Sequence, residues 1–374
     1  MIYLDYAASA PMMPEALAEL SRCCAEDYAN PGGLHREAGR ARGLLHRSRI
    51  RLAELLGVPD RSVFFCSGGT EANNWAIRSG AGSAPGHLLI GACEHKSVLE
   101  SAAALRTAGF SISFLRPDAR GFYDPAAVEA ALRPDTRLIS IQAANNETGI
   151  LQDVAAIAAL ASRRGIRYHC DAVQSFGHVS QPLREADLIS LSAHKLGGPR
   201  GIGCLIVRQG LSLPPLIRGG GQELGLRSGT ENTAGIASFA VAAEIACREL
   251  DAEQRRLRRL RGQFCALLSE AVPGVLFHEG AQMLPGIINC AFPGLSGEEL
   301  LMRLDLKEIC ISTGAACASR DPAPSHVLLA MGCTDEEARR SVRFSLGRGT
   351  TLAELAQTAE AIAEIVRRKE SSHV

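Results

Sequence analysis

The sequence predicts an α/β fold in which a large, mostly parallel sheet is covered by helices and joined to a smaller α+β domain. Short apolar runs alternate with helical patterns of about 10 to 15 residues, which is typical of strands linked by crossover helices. Polar residues follow several of these runs, at the sheet edge where open α/β folds bind ligands. At 374 residues the chain exceeds the length at which a single core usually stops growing, so we expect two domains.

The larger domain is expected over residues 13–250, where strands and helices alternate along the chain. Its predicted strands lie near residues 62–66, 87–91, 111–115, 138–142, 166–171, 188–195 and 201–207. Three of its predicted helices begin near Pro14, His35 and Ala72. Four later helices are predicted to end near residues 108, 132, 163 and 250. Pro14 suits a first helical position, and Gly57 ends the second helix as a stop signal.

The smaller domain is expected to combine residues 1–12 with residues 251–374. A helix over 251–271 opens its second part, and further helices are predicted over 297–304, 326–331 and 352–367. Predicted strands cover residues 2–4, 275–278, 286–292, 308–312 and 341–346. Between them, residues 314–324 form a loop of small residues and prolines.

Composition indicates an ordinary globular protein without a strong charge field. Hydrophobic residues make up 46% and charged residues 21% of the chain, and 40 basic side chains balance 40 acidic ones. Because the formal net charge is zero, no global field would gather nucleic acid or an anionic membrane. The sequence has no apolar run of membrane-spanning length and no signal-like N-terminus, so we expect a cytoplasmic location.

The twelve cysteines are scattered along the chain, and no two of them have Cys-x-x-Cys spacing. Disulfide scaffolds are typical of short secreted chains, and zinc or iron–sulfur sites usually need closely spaced ligand pairs. We therefore expect no metal site. Most of these thiols should be small hydrophobic groups of the core.

Lys195 ends an apolar run that begins at Leu188, and glycines follow the lysine. An amine becomes a nucleophile toward a carbonyl group when its charge is partly suppressed, which burial at the end of a core strand can do. A lysine at such a position is more often a surface residue whose stem lies along apolar neighbours. The run by itself leaves both interpretations open.

Residues 67–71, Ser-Gly-Gly-Thr-Glu, lie between a predicted strand and a predicted helix. Such a junction presents backbone N–H groups and the positive end of the helix dipole, which suit a phosphate group. An ordinary capped helix start is equally compatible with the pattern. The stretch is not a Walker motif, because the Gly-Lys-Ser/Thr ending is missing.

Five polar residues fall at or just beyond the C-terminal ends of predicted strands. They are Thr70, His95, Asn146, Asp171 and Lys195. Each alone could be a cap or turn residue, but their convergence on one sheet edge favours a functional site. A carbonyl-reactive lysine, a phosphate-binding helix start and an acidic residue that keeps a ring nitrogen protonated are together what pyridoxal phosphate requires.

Eight stretches, in order along the chain, resemble the motifs of the cysteine desulfurase family. They are residues 67–71, 94–95, 145–147, 171–174, 192–201, 227–230, 314–317 and 343–348. The resemblance implies a type I pyridoxal-phosphate transferase fold, a homodimer, and conversion of L-cysteine to L-alanine with transfer of sulfane sulfur to an acceptor protein. It leaves the acceptor open, so that iron–sulfur cluster assembly, tRNA thiolation, cofactor synthesis and DNA modification are all compatible.

The resemblance also assigns the reacting groups. Lys195 would hold the cofactor and move protons at the substrate carbon, while His95 would stack on the cofactor ring and assist proton transfer. Cys317, in the loop of small residues, would attack the substrate sulfur as a thiolate and hold it as a persulfide. Without the resemblance, any of the twelve cysteines could be the nucleophile.

The remaining roles concern binding. Asp171 would pair with the ring nitrogen, with Gln174 and Asn146 on the ring-hydroxyl side. Arg343, helped by Asn146, would clamp the substrate carboxylate as a bidentate fork. Thr230 would reach the phosphate of the neighbouring subunit, so that one site needs two chains. The other phosphate-binding residues would be Gly69, Thr70, Ser192 and His194.

Two alternatives remain at this stage. The chain could be a related pyridoxal-phosphate lyase or aminotransferase, for example one acting on selenocysteine. It could also be a catalytically idle sulfur-relay or assembly partner that uses the fold for binding. Neither alternative requires direct contact with nucleic acid or with a membrane.

Overall fold

The computed structural model of the chain describes residues 1–313 and 323–371. The strands of this part, numbered along the chain, are β1 (Ile2–Tyr3), β2 (Val63–Cys66), β3 (His87–Gly91), β4 (Ser111–Leu115), β5 (Thr136–Ser140), β6 (Arg167–Asp171), β7 (Leu188–Ser192), β8 (Gly203–Val207), β9 (Leu276–Phe277), β10 (Ile287–Ala291), β11 (Ile309–Cys310) and β12 (Ser341–Ser345). The helices are α1 (Pro14–Glu26), α2 (Arg36–Leu56), α3 (Gly69–Gly80), α4 (Lys96–Ala104), α5 (Pro125–Ala130), α6 (Val154–Arg164), α7 (Thr233–Arg248), α8 (Leu250–Ala271), α9 (Gly297–Asp305), α10 (His326–Ala330), α11 (Asp335–Arg340) and α12 (Leu352–Ser371).

The central sheet of the described chain has the strand order β2-β8-β7-β6-β5-β3-β4. From β7 to β4 neighbouring strands are parallel, whereas β8 runs antiparallel to both β7 and β2. Because β2 therefore points the same way as the parallel strands, the turns that follow six of the seven strands share one edge. The predicted α/β class with a mostly parallel sheet is confirmed.

Burial explains why the inner strands have continuous apolar runs in place of alternating ones. Every residue of β2, β3, β7 and β8 is buried. Parallel sheets covered by helices on both faces have no solvent face, so both sides of each strand must be apolar or internally hydrogen-bonded. The same property makes the turns at the ends of these strands the first positions open to a ligand.

A polar ladder crosses the middle of this sheet. Ser140 Oγ on β5 lies 2.8 Å from His169 Nδ1 on β6, and His169 Nε2 lies 3.0 Å from Ser190 Oγ on β7. Burial lowers the pKa of His169 to about 4, so the ring is neutral at pH 7. The two hydroxyl groups satisfy both ring nitrogens of a buried residue that would otherwise destabilise the core.

A second hydrophobic core joins the N-terminus to the C-terminal part of the chain. β1 pairs in parallel with β11, and β12, β10 and β9 form an antiparallel sheet. Leu4, Phe264, Phe344 and Ile362 are completely buried in this core. Since Asp5 bridges to Ser345, the residues after β1 continue beside β12 toward the edge of the central sheet.

The structure departs from the predicted elements at few places. The helix predicted over 352–367 continues to Ser371, and α11 was not predicted at all. Its signal was present in the sequence, because Thr334 and Glu337 form a capping box that starts this helix. α10 packs Val327 and Leu328 into the core of the central sheet, although it lies in the stretch assigned to the smaller domain.

None of the helices that the structure describes combines the length and the apolar composition needed to cross a membrane.

Candidate active site

A cavity of about 350 Å³ lies at the edge where the parallel strands end. Ten residues given a role from the sequence line it: Gly69, Thr70, His95, Asn146, Asp171, Gln174, Ser192, His194, Lys195 and Arg343. Sheet topology gathers most of them, because they follow β2, β3, β5, β6 and β7. Arg343 arrives from β12.

Two predicted residues are not part of this cavity as described. Thr230 is exposed in the loop before α7 and lies in a separate depression with Arg227 and Gly229. This position is compatible with a contact to a neighbouring subunit, as the sequence resemblance implies. Cys317 lies outside the described residues.

Lys195 reaches the cavity through a short 3-10 turn that follows β7. Its Nζ donates hydrogen bonds to the carbonyl oxygens of Ala7 at 2.5 Å and Ala8 at 3.1 Å. Its own carbonyl oxygen lies 3.1 Å from His178 Nε2, which holds the turn from behind. The amine therefore points into the cavity and is not a surface group with a buried stem.

The turn between β2 and α3 requires glycine. Gly68 has φ +151° and ψ −175°, a conformation that only glycine adopts readily. A Cβ on Gly69 would lie 2.8 Å from Val173 Cγ2. No described side chain caps the start of α3, so its first N–H groups remain available to an anion.

Asp171 ends β6 with its carboxylate fixed on both oxygens. Oδ1 accepts a hydrogen bond from the Val173 N–H at 3.0 Å, and Oδ2 accepts one from Asn73 Nδ2 at 2.7 Å. The residue is 6% exposed, so the carboxylate is held in one orientation at the cavity wall. Such an oriented acceptor suits a protonated ring nitrogen.

A second carboxyl group, that of Glu94, lies behind the cavity wall near Asp171. Glu94 is fully buried, and burial, with a smaller contribution from Asp171, raises its pKa well above the usual range. Its Oε1 accepts a hydrogen bond from the Gln142 N–H at 2.6 Å. Burial therefore disfavours the charged form of the Glu94 carboxyl group behind Asp171.

His95 caps the N-terminus of α4 with its side chain. Its Nδ1 accepts a hydrogen bond from the Ser97 N–H at 3.1 Å. Since a ring nitrogen that accepts a hydrogen bond holds no proton, the neutral ring carries its proton on Nε2. The sequence position before a helix start thus determines which His95 nitrogen is an acid and which is a base.

Arg343 is 2% exposed and is held at two points. Nη1 donates to the carbonyl oxygen of Asn146 at 2.8 Å, and Nη2 donates to Asp5 Oδ1 at 2.7 Å. Its Nε has no hydrogen-bond partner among residues 1–313 and 323–371. The guanidinium is therefore fixed with donor capacity left for an anionic group in the cavity.

His194 and Ser192 complete the wall beside Lys195. Burial, helped by the charges of Lys195 and Arg200, lowers the pKa of His194 to about 4, so this imidazole is neutral at pH 7. Its Nδ1 lies 3.2 Å from Ser9 Oγ. Ser192 is buried, and its Oγ lies close to the place that a Cβ on Gly68 would occupy.

Several cavity residues were missed from the sequence. They are Ala7, Ala8, Asn73, Lys96, Ser97, Gln142, Ala144, Glu147, Val173 and His326. Asn73 could have been found, because it lies three residues after Thr70 and so shares a helix face with it. Glu147 and His326 reach the cavity only through tertiary contacts: Ser325 Oγ donates to Glu147 Oε2 at 2.5 Å, and His326 Nε2 lies 3.0 Å from the Glu94 carbonyl oxygen.

The donor set of the cavity fits pyridoxal phosphate. Lys195 supplies an amine, the start of α3 supplies an anion site, and Asp171 supplies an acceptor for a ring nitrogen. Gln174 Oε1 is buried without a partner in the described part of the chain, so the cavity retains a polar atom that a ring substituent could satisfy.

Six of the eleven described cysteines are buried, and Cys24 is exposed. None of them lines the cavity, and all have free thiols. Burial raises the pKa of both Cys66 and Cys93 to about 12, which keeps these thiols protonated and poorly nucleophilic at pH 7. Residues 1–313 and 323–371 contain no group of three or more histidine, cysteine or acidic side chains able to hold a metal ion.

Comparisons with known proteins agree along nearly the whole chain. The family description "Aminotransferase class-V" matches residues 2–357. Cysteine desulfurase IscS of Dictyoglomus turgidum is 38% identical over 373 residues, which cover 98% of this chain and 95% of the relative. A solved NifS-like protein has a TM-score of 0.91 at 32% identity and covers 98% of this chain and 99% of its own. A structure described as SspA in complex with cysteine has a TM-score of 0.82 at 35% identity over 92% of this chain and 99% of its own.

Proposed function

The chain belongs to the aminotransferase class-V family, and we propose that it is a pyridoxal-phosphate-dependent cysteine desulfurase with the type I fold of the NifS-like structures. The observation that carries the proposal is that one cavity brings together a half-buried amine, an uncapped helix start, an oriented carboxylate and a fixed arginine. These are the groups that the cofactor and an amino-acid carboxylate need. The relative with cysteine named in its description favours L-cysteine as the substrate.

The overall reaction balances without an external oxidant. L-cysteine and the Cys317 thiol give L-alanine and a Cys317 persulfide, so that a carbon–sulfur bond breaks and a sulfur–sulfur bond forms. The substrate carbon that loses sulfur gains a proton. The assignment of Cys317 rests on the resemblance of residues 314–317 to the family motif, and no described cysteine competes with it in the cavity.

The cofactor would be held by groups already fixed by the protein. Lys195 Nζ would bond to its aldehyde, Asp171 would face its ring nitrogen, and the N–H groups of Gly69 and Thr70 would hold its phosphate with Ser192 and His194. Gln174 and Asn146 would lie on the ring-hydroxyl side. When bound, pyridoxal phosphate supplies an electron sink for charge that develops at the substrate carbons.

Proton transfer falls to Lys195 and His95. The Lys195 amine would take a proton from the substrate α-carbon and return one. His95 presents an N–H from Nε2, because its Nδ1 is occupied by the Ser97 N–H. That N–H is a proton donor placed in the same cavity as the lysine.

Substrate orientation falls to Arg343. Its guanidinium would bind the carboxylate of L-cysteine as a charge-assisted pair in a site from which water is largely excluded. Asp5 and the Asn146 carbonyl fix the guanidinium before the substrate arrives, so little conformational entropy is lost on binding.

The proposal extends to partners and location. The protein would act as a homodimer in the cytoplasm, with Thr230 reaching the phosphate bound by the neighbouring subunit. The sulfur would pass from Cys317 to an acceptor protein, with iron–sulfur cluster assembly as the route it feeds. Neither nucleic acid nor a membrane takes part directly. Residues 13–250 would form the cofactor-binding domain, and residues 1–12 with 251–374 would form the domain that contains the Cys317 loop.

The decisive experiment maps the sulfur. The holoenzyme is incubated with sulfur-labelled L-cysteine, alkylated, digested and examined by mass spectrometry, while alanine is measured in parallel. We expect the label on Cys317 as a persulfide, and loss of both label and turnover in Cys317→Ser. Cys24→Ser is the matched control, because Cys24 is exposed and lies outside the cavity.

Two results would contradict the proposal. Cys317→Ser that released sulfur at the wild-type rate without a reductant would exclude the persulfide route. Turnover that required a keto acid as amino acceptor would instead indicate a related aminotransferase, and preferential turnover of selenocysteine would indicate a lyase.

A further inference from the structure

A continuous chain of hydrogen bonds links the two sides of the candidate active site. Asn73 Nδ2 donates to Asp171 Oδ2 at 2.7 Å and to Ser97 Oγ at 2.9 Å. Ser97 Oγ in turn lies 2.7 Å from His95 Nδ1. Asn73 is 1% exposed and Ser97 is 9% exposed, so water competes little for these bonds. The chain therefore connects the end of β6 to the start of α4 through the first turn of α3.

Proton counting fixes the direction of each bond. Both N–H groups of the Asn73 amide are used, one by the Asp171 carboxylate and one by Ser97 Oγ. Ser97 Oγ then accepts from Asn73, so its own proton is available to His95 Nδ1. That nitrogen already accepts from the Ser97 N–H, so it meets two donors and remains without a proton.

The orientation of the Asn73 amide is set by these two partners. Its Oδ1 is buried and has no hydrogen-bond partner in the described part of the chain. If the amide were reversed, that oxygen would face the Asp171 carboxylate, and two acceptors would meet. Burial of an amide with one unsatisfied atom destabilises the fold, so the residue is better explained by what its N–H groups hold.

We propose that Asn73 is a positioning residue that joins Asp171 to His95 through Ser97. At one end it holds the carboxylate that faces the cofactor ring nitrogen. At the other end it turns the Ser97 hydroxyl toward His95 Nδ1, which keeps the His95 proton on Nε2. The inference rests on the proposed function, because the roles of Asp171 and His95 at the two ends both require bound pyridoxal phosphate.

Two variants test the two ends of this hydrogen-bond chain separately. Asn73→Ala removes both bonds, whereas Ser97→Ala breaks the link to His95 and leaves the bond from Asn73 to Asp171 in place. The control is Asn74→Ala, the same change one residue along α3, where the partly exposed side chain donates to the Thr70 carbonyl of its own helix. Each holoenzyme is examined for cofactor affinity and, with ring-labelled histidine, for the nitrogen chemical shifts of His95.

Different results are expected from the three proteins. Asn73→Ala should weaken cofactor binding about 10- to 100-fold, the range for loss of a hydrogen bond to a charged group, and should also shift the His95 Nδ1 resonance. Ser97→Ala should shift the same resonance with cofactor affinity within about threefold of wild type. Asn74→Ala should change neither quantity.

The inference is overturned if Asn73→Ala keeps both the wild-type cofactor affinity and the wild-type His95 Nδ1 shift. If Asn73→Ala does not fold, Ser97→Ala decides, because an unchanged Nδ1 shift there breaks the proposed link. A wild-type protein that bound no pyridoxal phosphate or failed to desulfurate cysteine would instead refute the proposed function, so the two failures are distinguishable.

Discussion

Arg343 illustrates how single side chains prepare this site. It is buried on β12, and its two bonded N–H groups point to Asp5 and to the Asn146 carbonyl. Within residues 1–313 and 323–371 the Nε–H has no hydrogen-bond partner, and each terminal nitrogen has a second N–H that could bind a substrate carboxylate. A lysine could replace the charge but not this fork, because an ammonium group is a point charge on a flexible stem.

Arg343→Lys is therefore expected to raise the KM for L-cysteine about 10- to 100-fold, the range for a lost charge-assisted hydrogen bond, with a smaller effect on kcat. Steady-state kinetics on the holoenzyme would measure both constants. Arg339→Lys is the control, since Arg339 is exposed on α11 and pairs with Asp335 of the same helix at 2.6 Å. Equal KM values for the two variants would show that Arg343 does not bind the carboxylate.

At the scale of elements, the turn between β2 and α3 depends on a glycine of another strand as well as on its own glycines. Gly203 begins β8, beside this turn, and a Cβ there would lie 2.7 Å from Gly68 Cα and 2.5 Å from the Leu191 carbonyl oxygen. Both obstacles are backbone atoms, which cannot move aside without shifting the strands. The anion site at the start of α3 therefore depends on a residue far away in the sequence.

Gly203→Ala should consequently lower the thermal midpoint of unfolding and weaken cofactor binding, because the β2–α3 turn is displaced. We expect a loss of about 1–3 kcal/mol in the free energy of unfolding, the usual range for overpacking. Gly262→Ala on α8 is the control, since nothing lies near its added methyl group and alanine favours helix. A Gly203→Ala protein with wild-type cofactor affinity would contradict the argument.

The His169 ladder predicts how stability depends on pH. The folded-state pKa of His169 is about 4, against a model value of 6.5. Between these values the unfolded chain binds more protons, so the free energy of unfolding is highest above pH 6.5 and falls as pH drops toward 4. The full shift corresponds to about 3 kcal/mol.

His169→Gln should be less stable than wild type at pH 7.5, because one serine loses its partner, but this difference should narrow by pH 4.5. Urea unfolding at the two pH values would measure both free energies. His46→Gln is the control, because His46 is exposed on α2. A stability difference that stayed constant across this range would mean that His169 is not a buried neutral group.

At the scale of the whole molecule, the candidate site draws on distant parts of the chain. The residues after β1 supply the carbonyl groups of Ala7 and Ala8 to Lys195, and Asp5 holds Arg343. The loop before α7 is anchored separately, because Arg49 Nη2 and Glu223 Oε1 form a buried ion pair at 2.6 Å. That anchored loop presents Thr230 outward, away from the cavity of its own chain.

Thr230→Ala is predicted to weaken cofactor binding in the assembled protein, although the residue is outside its own cavity. We expect a loss of about 10- to 100-fold, the range for one hydrogen bond to a charged group such as a phosphate. Light scattering should show a dimer, and mixed dimers of Thr230→Ala with Lys195→Ala chains should have one site that lacks both changes. Wild-type cofactor affinity in Thr230→Ala would contradict the shared site.

The sequence by itself determined the strand and helix pattern, because hydrophobic periodicity and turn residues are local signals. β4 was predicted at its observed bounds, and Thr70, His95, Asn146, Asp171 and Lys195 were placed at one sheet edge because parallel strands end there. The family motifs then identified the chemistry, which agrees with the relatives. The role of each site residue, the dimer and the domain boundaries stay predictions.

Only the tertiary structure decided which backbone and side-chain groups meet these residues. The Ala7 and Ala8 carbonyls lie nearly 190 positions before Lys195, with sequence separations of 188 and 187, and no periodicity links the two regions. The hydrogen bonds of Asn73 likewise join α3 to α4 and to β6, which are brought together only by folding. The pKa shifts could not be predicted in advance for the same physical reason, because the raised pKa of Glu94 and the lowered pKa of His194 follow from burial, which the fold alone creates.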